Sequence, residues 1–120
     1  KVHRTAVICN VVVHVTHSFR KKGRRTANTT TPARYSNHFI GHAIDVNLAT
    51  PNGWCAALCL FDHRNPHAKC FINTLKSIGL RWGGDWRPKA DPVHFDDNYN
   101  SNRTMWKAKF RVVQDACEDL

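Results

Sequence analysis

Two stretches of the chain concentrate side chains able to bind a metal or move a proton. In Ser36-Asn37-His38-Phe39-Ile40-Gly41-His42-Ala43-Ile44-Asp45-Val46, a histidine and an aspartate lie seven positions apart with a glycine between them. On one continuous strand, positions 38 and 45 face opposite sides, so convergence of the two side chains requires a turn near Gly41. Ala43 then shares the face of Asp45, while Ile44 and Val46 point to the core. A buried carboxylate must be paired or bound to a cation, and a metal is the simplest partner for Asp45. The second stretch is Trp82-Gly83-Gly84-Asp85-Trp86 followed by Asp91-Pro92-Val93-His94-Phe95. If Pro92 leads into a strand, Asp91 and His94 can point into one cleft. His38, Asp45 and His94 then form a three-ligand set of nitrogen and oxygen donors, the pattern of catalytic zinc with a fourth position left for water, and Asp91 is free to act as a base. His42 opposes Asp45 by strand parity and reads as a packing or supporting residue. His14, His17, His63 and His67 read as structural or surface histidines. Trp82, Trp86 and Trp106 read as core, with Trp86 a candidate cleft wall. Asp96 to Asn102 resembles a calcium loop but lacks its glycine and has Lys107 where the glutamate is needed, so it reads as a turn.

The elements that must position these residues follow from the remaining pattern. Ala6 to Val15, rich in β-branched residues, reads as a buried strand ending at Thr16-His17-Ser18-Phe19-Arg20. No helix is expected before it. Residues 21–34, basic and without apolar periodicity, read as a solvated connection. His42 to Val46 reads as a short strand, broken over residues 47–53 by Pro51 and Gly53. Trp54 to Phe61 reads as a helix. Pro66 opens a second helix with Ala68, Phe71, Ile72, Leu75 and Ile78 on one face and Gly79 as its C-cap. Leu80 to Trp82 and Val93 to Phe95 read as strands, and Thr104 to Cys117 as a terminal helix. Helices and strands mix without regular alternation, giving an α+β class with a small antiparallel sheet flanked by helices.

The length of 120 residues, 42% of them hydrophobic, fits a single domain spanning 1–120 and a monomer. Beginning at Lys1 rather than Met, the numbering is expected to start inside a longer or processed precursor. No apolar run reaches the length of a membrane span. A formal charge of +9 calls for an anionic partner. Nucleic acid is disfavoured, because neither aromatic-basic interleaving nor a helix-turn-helix signature is present. Five cysteines without a CxxC pair, and sequons at Asn28 and Asn102, point to a secreted protein with at most two internal disulfides and one cysteine left over. Cys55 and Cys59, four apart on an expected helix, are not expected to bond to each other, and Cys70 is the expected partner of one of them.

The patterns SxHxxGxAxD (Ser36 to Asp45), WGGDW (Trp82 to Trp86) and DPxHF (Asp91 to Phe95) resemble the zinc peptidases that cut D-amino-acid-containing peptides of bacterial cell walls. These comprise the D-alanyl-D-alanine carboxypeptidases and the L-alanyl-D-glutamate endopeptidases. Thr16-His17-Ser18-Phe19-Arg20 resembles the family's T-S-G-Y-R segment, with His17 and Ser18 departing from it. The resemblance implies a hedgehog-like fold, zinc (Zn2+) held by His38, Asp45 and His94, and Asp91 as the catalytic acid/base. It also implies Arg20 as a catalytic and substrate-holding residue, with Ser36 and Trp86 beside it. The implied substrate is bacterial peptidoglycan peptides, with L-alanyl-D-glutamate endopeptidase action the first choice from the WGGDW and DPxHF context and D,D-carboxypeptidase action the alternative. Anionic cell-wall polymers fit the charge as partners. A non-catalytic, zinc-bearing binding module is the reading from another class, because relatives of this fold keep the ligands while serving as binding domains.

Overall fold

The computed structural model of the chain describes residues 1–22 and 34–117. It is built as α1 (Val2–Cys9), β1 (Val12–His17), β2 (Ala43–Thr50), β3 (Gly53–Cys55), α2 (Ala57–Asp62), α3 (Pro66–Ser77), β4 (Arg81–Trp82), β5 (His94–Asp96) and α4 (Arg103–Ala116), with single 3₁₀ turns at Asn37–Ile40, Gly83–Asp85 and Tyr99–Ser101. The strands form one antiparallel sheet in the order β1-β2-β5-β4, and β3 also pairs with β2. The α+β expectation holds. Most of the basic connection expected over 21–34, with the sequon at Asn28, lies outside the described residues.

Alternation along the strands separates two faces of the sheet. Val46 and Leu48 of β2, Trp82 of β4 and Phe95 of β5 enter the core, where Ala6 and Cys9 of α1, Leu60 of α2, and Ala68, Phe71, Ile72 and Leu75 of α3 meet them. Each fully buried Leu, Ile or Phe there contributes about 1.5–3 kcal/mol. The intervening residues Asp45, His94, Asp96 and Arg81 consequently share the opposite face. Asn65 caps α3 by accepting from the N–H groups of His67 and Ala68, and Pro66 occupies the first turn as expected. Ile78 falls beyond the last turn and is exposed.

Several expectations are corrected. The Ala6–Val15 segment is not one buried strand. Its first part is helix, because Val2, Ala6 and Cys9 recur at helical spacing against the core, and Asn10 ends the turn in the left-handed conformation. A helix therefore does precede the first strand. β1 is an edge strand with Val12 and Val15 exposed. β2 continues through Asn47–Thr50, because Pro51 and Asn52 form the hairpin turn to β3 and do not interrupt the strand. Trp54 and Cys55 belong to β3, so the helix expected over Trp54 to Phe61 begins only at Ala57 and runs to Asp62. That boundary also explains the cysteines. Cys55 stands on a strand and Cys59 on the following helix, with Cα atoms 5.1 Å apart, and the two bond to each other. Cys70 instead bonds to Cys9, tying α3 to α1. Two bridges form, and Cys117 is free, as the odd count requires.

Candidate metal centre

His38 reaches the site from a 3₁₀ turn. Ser36 begins that turn, its Oγ accepting from the His38 N–H at 3.2 Å, and Gly41 ends it at φ +73°, a backbone conformation that glycine adopts without strain. The chain then enters β2, which brings Asp45 beside His38. Asp45 lies opposite His94 in the β2–β5 register. The turn required near Gly41 is thus present. Asp91, Pro92 and Val93 form a turn and not the strand expected from Pro92, with the His94 N–H donating to the Asp91 carbonyl at 3.1 Å. This turn, and not strand pleating, sets Asp91 beside His94.

The inward atoms are His38 Nε2, Asp45 Oδ1 and His94 Nδ1. His38 Nε2 is 3.2 Å from both Asp45 Oδ1 and His94 Nδ1, and His94 Nδ1 is 3.3 Å from Asp45 Oδ1. All three residues are buried, and one donor atom from each lies within 4.8 Å of the other two. The outward ring nitrogens are also engaged. His38 Nδ1 lies 2.7 Å from the Ser18 carbonyl, which can only accept, so the proton sits on Nδ1 and the Nε2 lone pair faces inward. His94 Nε2 lies 2.6 Å from Asp96 Oδ2, so by the same logic Nε2 keeps a proton and Nδ1 is the inward nitrogen, whose lone pair would serve a metal that displaces the second proton. Two imidazole nitrogens and one carboxylate oxygen converging in a buried cluster fit a divalent metal of the zinc type.

The charges respond to this crowding. Burial alone would raise the Asp45 carboxyl, but hydrogen bonds and positive charge from His38 and His94 outweigh it and hold Asp45 well below the usual carboxylate range. Burial would lower His94, yet its hydrogen bonds to Asp45 and Asp96 push it up to about 9. Burial also opposes ionisation of Asp96, and His94, Arg81 and the Asn98 N–H reverse that effect. Asp91 moves the other way. Burial first, and the charge of Asp45 second, raise its carboxyl, while His94, His38 and Arg20 oppose part of the shift.

The two glycines of WGGDW have a steric basis. A Cβ on Gly83 would collide with the Asp91 carbonyl oxygen and lie 2.9 Å from His94 Cβ, and one on Gly84 would strike the Trp82 indole. Trp86 packs its ring 4.7 Å from that of His94, on the partly exposed side of the site. Trp82 and Trp106 are core residues. Arg20 is buried, its N–H donating to the His38 carbonyl at 2.9 Å. Its own carbonyl accepts from Gln114 Nε2 of α4 at 3.1 Å.

Four contributors escaped sequence reasoning. Gln114, besides holding Arg20, donates to the Phe39 carbonyl and accepts from the Lys22 N–H. Asp96, read as part of a turn, supports His94 and is itself gripped by Arg81. His17, read as structural or surface, brings Nδ1 to 3.6 Å from Asp45 Oδ2, because an irregularity between Val15 and His17 re-aims the strand end. His42 stays out of the cluster as expected, bonded to Asp97 at 2.6 Å. His63 packs on Trp82, and His67 bonds to the Cys9 carbonyl.

Residues 29–97, the segment containing His38, Asp45, Asp91 and His94, match the family model described as D-alanyl-D-alanine carboxypeptidase. The L-alanyl-D-glutamate peptidase of Listeria phage A118 is 30% identical over 99 residues, which is 78% of this chain and 33% of the phage protein, so the chain spans about a third of that relative. The L-Ala D-Glu endopeptidase ChiX of Serratia marcescens superposes with a TM-score of 0.53 at 26% identity, covering 79% of this chain and 74% of ChiX. The matched segment exceeds half of the chain and contains the whole donor cluster, so the chain belongs to the D-alanyl-D-alanine carboxypeptidase family.

Proposed function

We propose that this chain is a zinc peptidase that hydrolyses peptide bonds next to D-amino acids in bacterial peptidoglycan, with L-alanyl-D-glutamate endopeptidase action the first choice. The observation that carries the proposal is the buried His38–Asp45–His94 cluster with Asp91 set beside it by a tight turn. The names of the phage and Serratia relatives support the endopeptidase choice over carboxypeptidase action.

In this reading His38, Asp45 and His94 hold the metal. Zinc, when bound, polarises the scissile carbonyl and eases ionisation of water. Asp91 takes the proton from the attacking water and returns it to the leaving amine, a task suited to a carboxyl whose affinity for protons is raised. Arg20 offers paired N–H donors to a substrate carboxylate or to the developing oxyanion. Trp86 forms a wall for the peptide, and Ser36 serves by fixing the turn that carries His38. The two disulfides favour an oxidising, extracellular setting. An anionic wall polymer is the proposed second contact. Arg103, Lys107 and Arg111 recur four apart on the exposed side of α4, and Arg103 and Lys107 lie over the ring of Tyr35, next to Ser36.

Mass spectrometry of peptidoglycan digests tests the proposal. New L-alanine carboxyl termini and D-glutamate amino termini, formed by zinc-loaded but not metal-stripped protein, are expected. New D-alanine carboxyl termini alone would move the reading to carboxypeptidase action. A zinc-loaded protein that produces no termini but retains peptide binding would replace it with the binding-module reading.

A further inference from the structure

We infer that Arg81 is a positioning residue of this site: through Asp96 it fixes His94 as a donor, and through Trp86 it seats the cleft wall. A side chain outside the donor cluster thereby governs both metal affinity and peptide binding. The inference rests on the metal reading proposed above.

Arg81 and Asp96 face each other in the β4–β5 register. Arg81 Nε donates to Asp96 Oδ1 at 2.9 Å and Nη2 to Oδ2 at 2.8 Å, the two-pronged fit that a planar guanidinium makes with a carboxylate and that lysine cannot reproduce. The Asp96 side chain is 1% exposed, so no solvent holds it in place. Its rotation is set by Arg81, by the Asn98 N–H at 2.8 Å and by His94 Nε2 at 2.6 Å. Fixing the carboxylate therefore fixes the imidazole plane and keeps Nδ1 aimed at His38 and Asp45.

The same guanidinium reaches further. Nη2 lies 3.3 Å from Asn100 Oδ1, and Asn100 Nδ2 donates to the Tyr35 carbonyl, one residue before Ser36 and the turn that carries His38. Arg81 Cζ is also 5.1 Å from the centre of the Trp86 ring, which packs against His94. Both histidine-bearing segments and the aromatic wall thus converge on one residue. An ion pair that merely joined β4 to β5 would affect stability without altering the metal site.

Zinc affinity by chelator competition, the visible spectrum of the cobalt(II) form, and binding of a synthetic peptide containing L-alanyl-D-glutamate to metal-free protein separate these roles. Arg81→Met is expected to lower zinc affinity about 10- to 100-fold, shift the cobalt spectrum and weaken peptide binding. Asp96→Asn, which leaves Arg81 beside Trp86, is expected to lower zinc affinity with peptide binding much less changed. Arg81→Lys, able to keep one contact to Asp96, should recover part of the metal affinity. If Arg81→Met does not fold, Arg81→Lys and Asp96→Asn carry the same test. Parent zinc affinity and cobalt spectrum in folded Arg81 and Asp96 variants, with metal lost from His38→Ala, would overturn the inference alone. Retention of metal by His38→Ala would instead overturn the metal reading and this inference with it.

Discussion

In the proposed reaction, Asp91 is the side chain on which proton transfer turns. Its backbone is pinned on both sides, its N–H donating to the Gly83 carbonyl at 2.8 Å and its carbonyl accepting from the His94 N–H, so the carboxyl is held in place by contacts other than its own. An asparagine has nearly the same shape and does not disturb those bonds, but its amide oxygen cannot take a proton near neutral pH. Asp91→Asn is therefore expected to keep the fold and the zinc while hydrolysis falls about 10²- to 10⁴-fold. Zinc content and turnover, measured on the same preparation, check this, and turnover at the parent rate would remove Asp91 from the chemistry. The cluster of His38, Asp45 and His94 was legible in the sequence, and the proposed role of Asp91 rests on the same signal, because each has a side chain whose chemistry is conspicuous in a short, ordered motif. Asp96 has the same chemistry two residues after His94, yet the sequence alone presents it as part of a turn. Its role depends on which residue of β4 lies opposite, and strand register is not visible along a single chain.

At the scale of elements, α4 is a brace behind the site. Gln114 accepts from the Lys22 N–H at 2.9 Å and donates to the carbonyls of Arg20 and Phe39, joining the loop after β1 to the 3₁₀ turn that carries His38. Gln114→Ala leaves three backbone groups without these partners, two of them belonging to buried or partly buried segments around Arg20 and Phe39. A loss of roughly 3 kcal/mol in stability is expected. In the proposed reaction KM should rise more than kcat falls, because the segment of Arg20, the proposed substrate-holding residue, loses its tie to α4, while His38 keeps its bonds to Ser36 and Ser18. Chemical denaturation and steady-state kinetics measure the two effects, and an unchanged KM would show that Arg20 is positioned without α4. The terminal helix itself was readable from the sequence to within a residue at each end. Its function was not, since the 94 positions between Arg20 and Gln114 give no local pattern that links them. α1 failed for a different reason. Its β-branched residues favour a strand, and packing against the core together with the Cys9–Cys70 bridge overrides that preference.

For the molecule as a whole, two expectations concern stability. The Cys9–Cys70 bridge closes a loop 61 positions long, and in a chain-entropy account such a constraint contributes about 4 kcal/mol, against about 2 kcal/mol for the four-position Cys55–Cys59 bridge. Replacing the Cys9 and Cys70 pair by alanine should consequently lower the unfolding midpoint more than replacing Cys55 and Cys59, and denaturation of the two double variants compares them directly. The second expectation is a pH dependence of the metal-free protein. His94 is raised from 6.5 to about 9, so its stabilising effect is complete below about pH 6.5 and is lost as pH rises through 9. Asp45 and Asp96 are lowered, so theirs is present above about pH 4 and is lost on acidification. Asp91, being raised, loses stabilisation on the alkaline side of its own titration, as His94 does. Metal-stripped protein should therefore melt several degrees lower at pH 9 than at pH 6, and zinc should suppress most of that fall. A flat melting profile would contradict the charge pattern of the cluster. The brace by Gln114 also sets an order in time. While the chain is being made, His38, Asp45, Asp91 and His94 all leave the ribosome before residue 114, so a nascent chain can gather its metal donors while the Arg20 carbonyl still lacks its tie to α4. In the proposed reaction, competence to grip a substrate would arrive with the last helix, and a chain stalled before that point would hold its metal donors together without yet cutting efficiently.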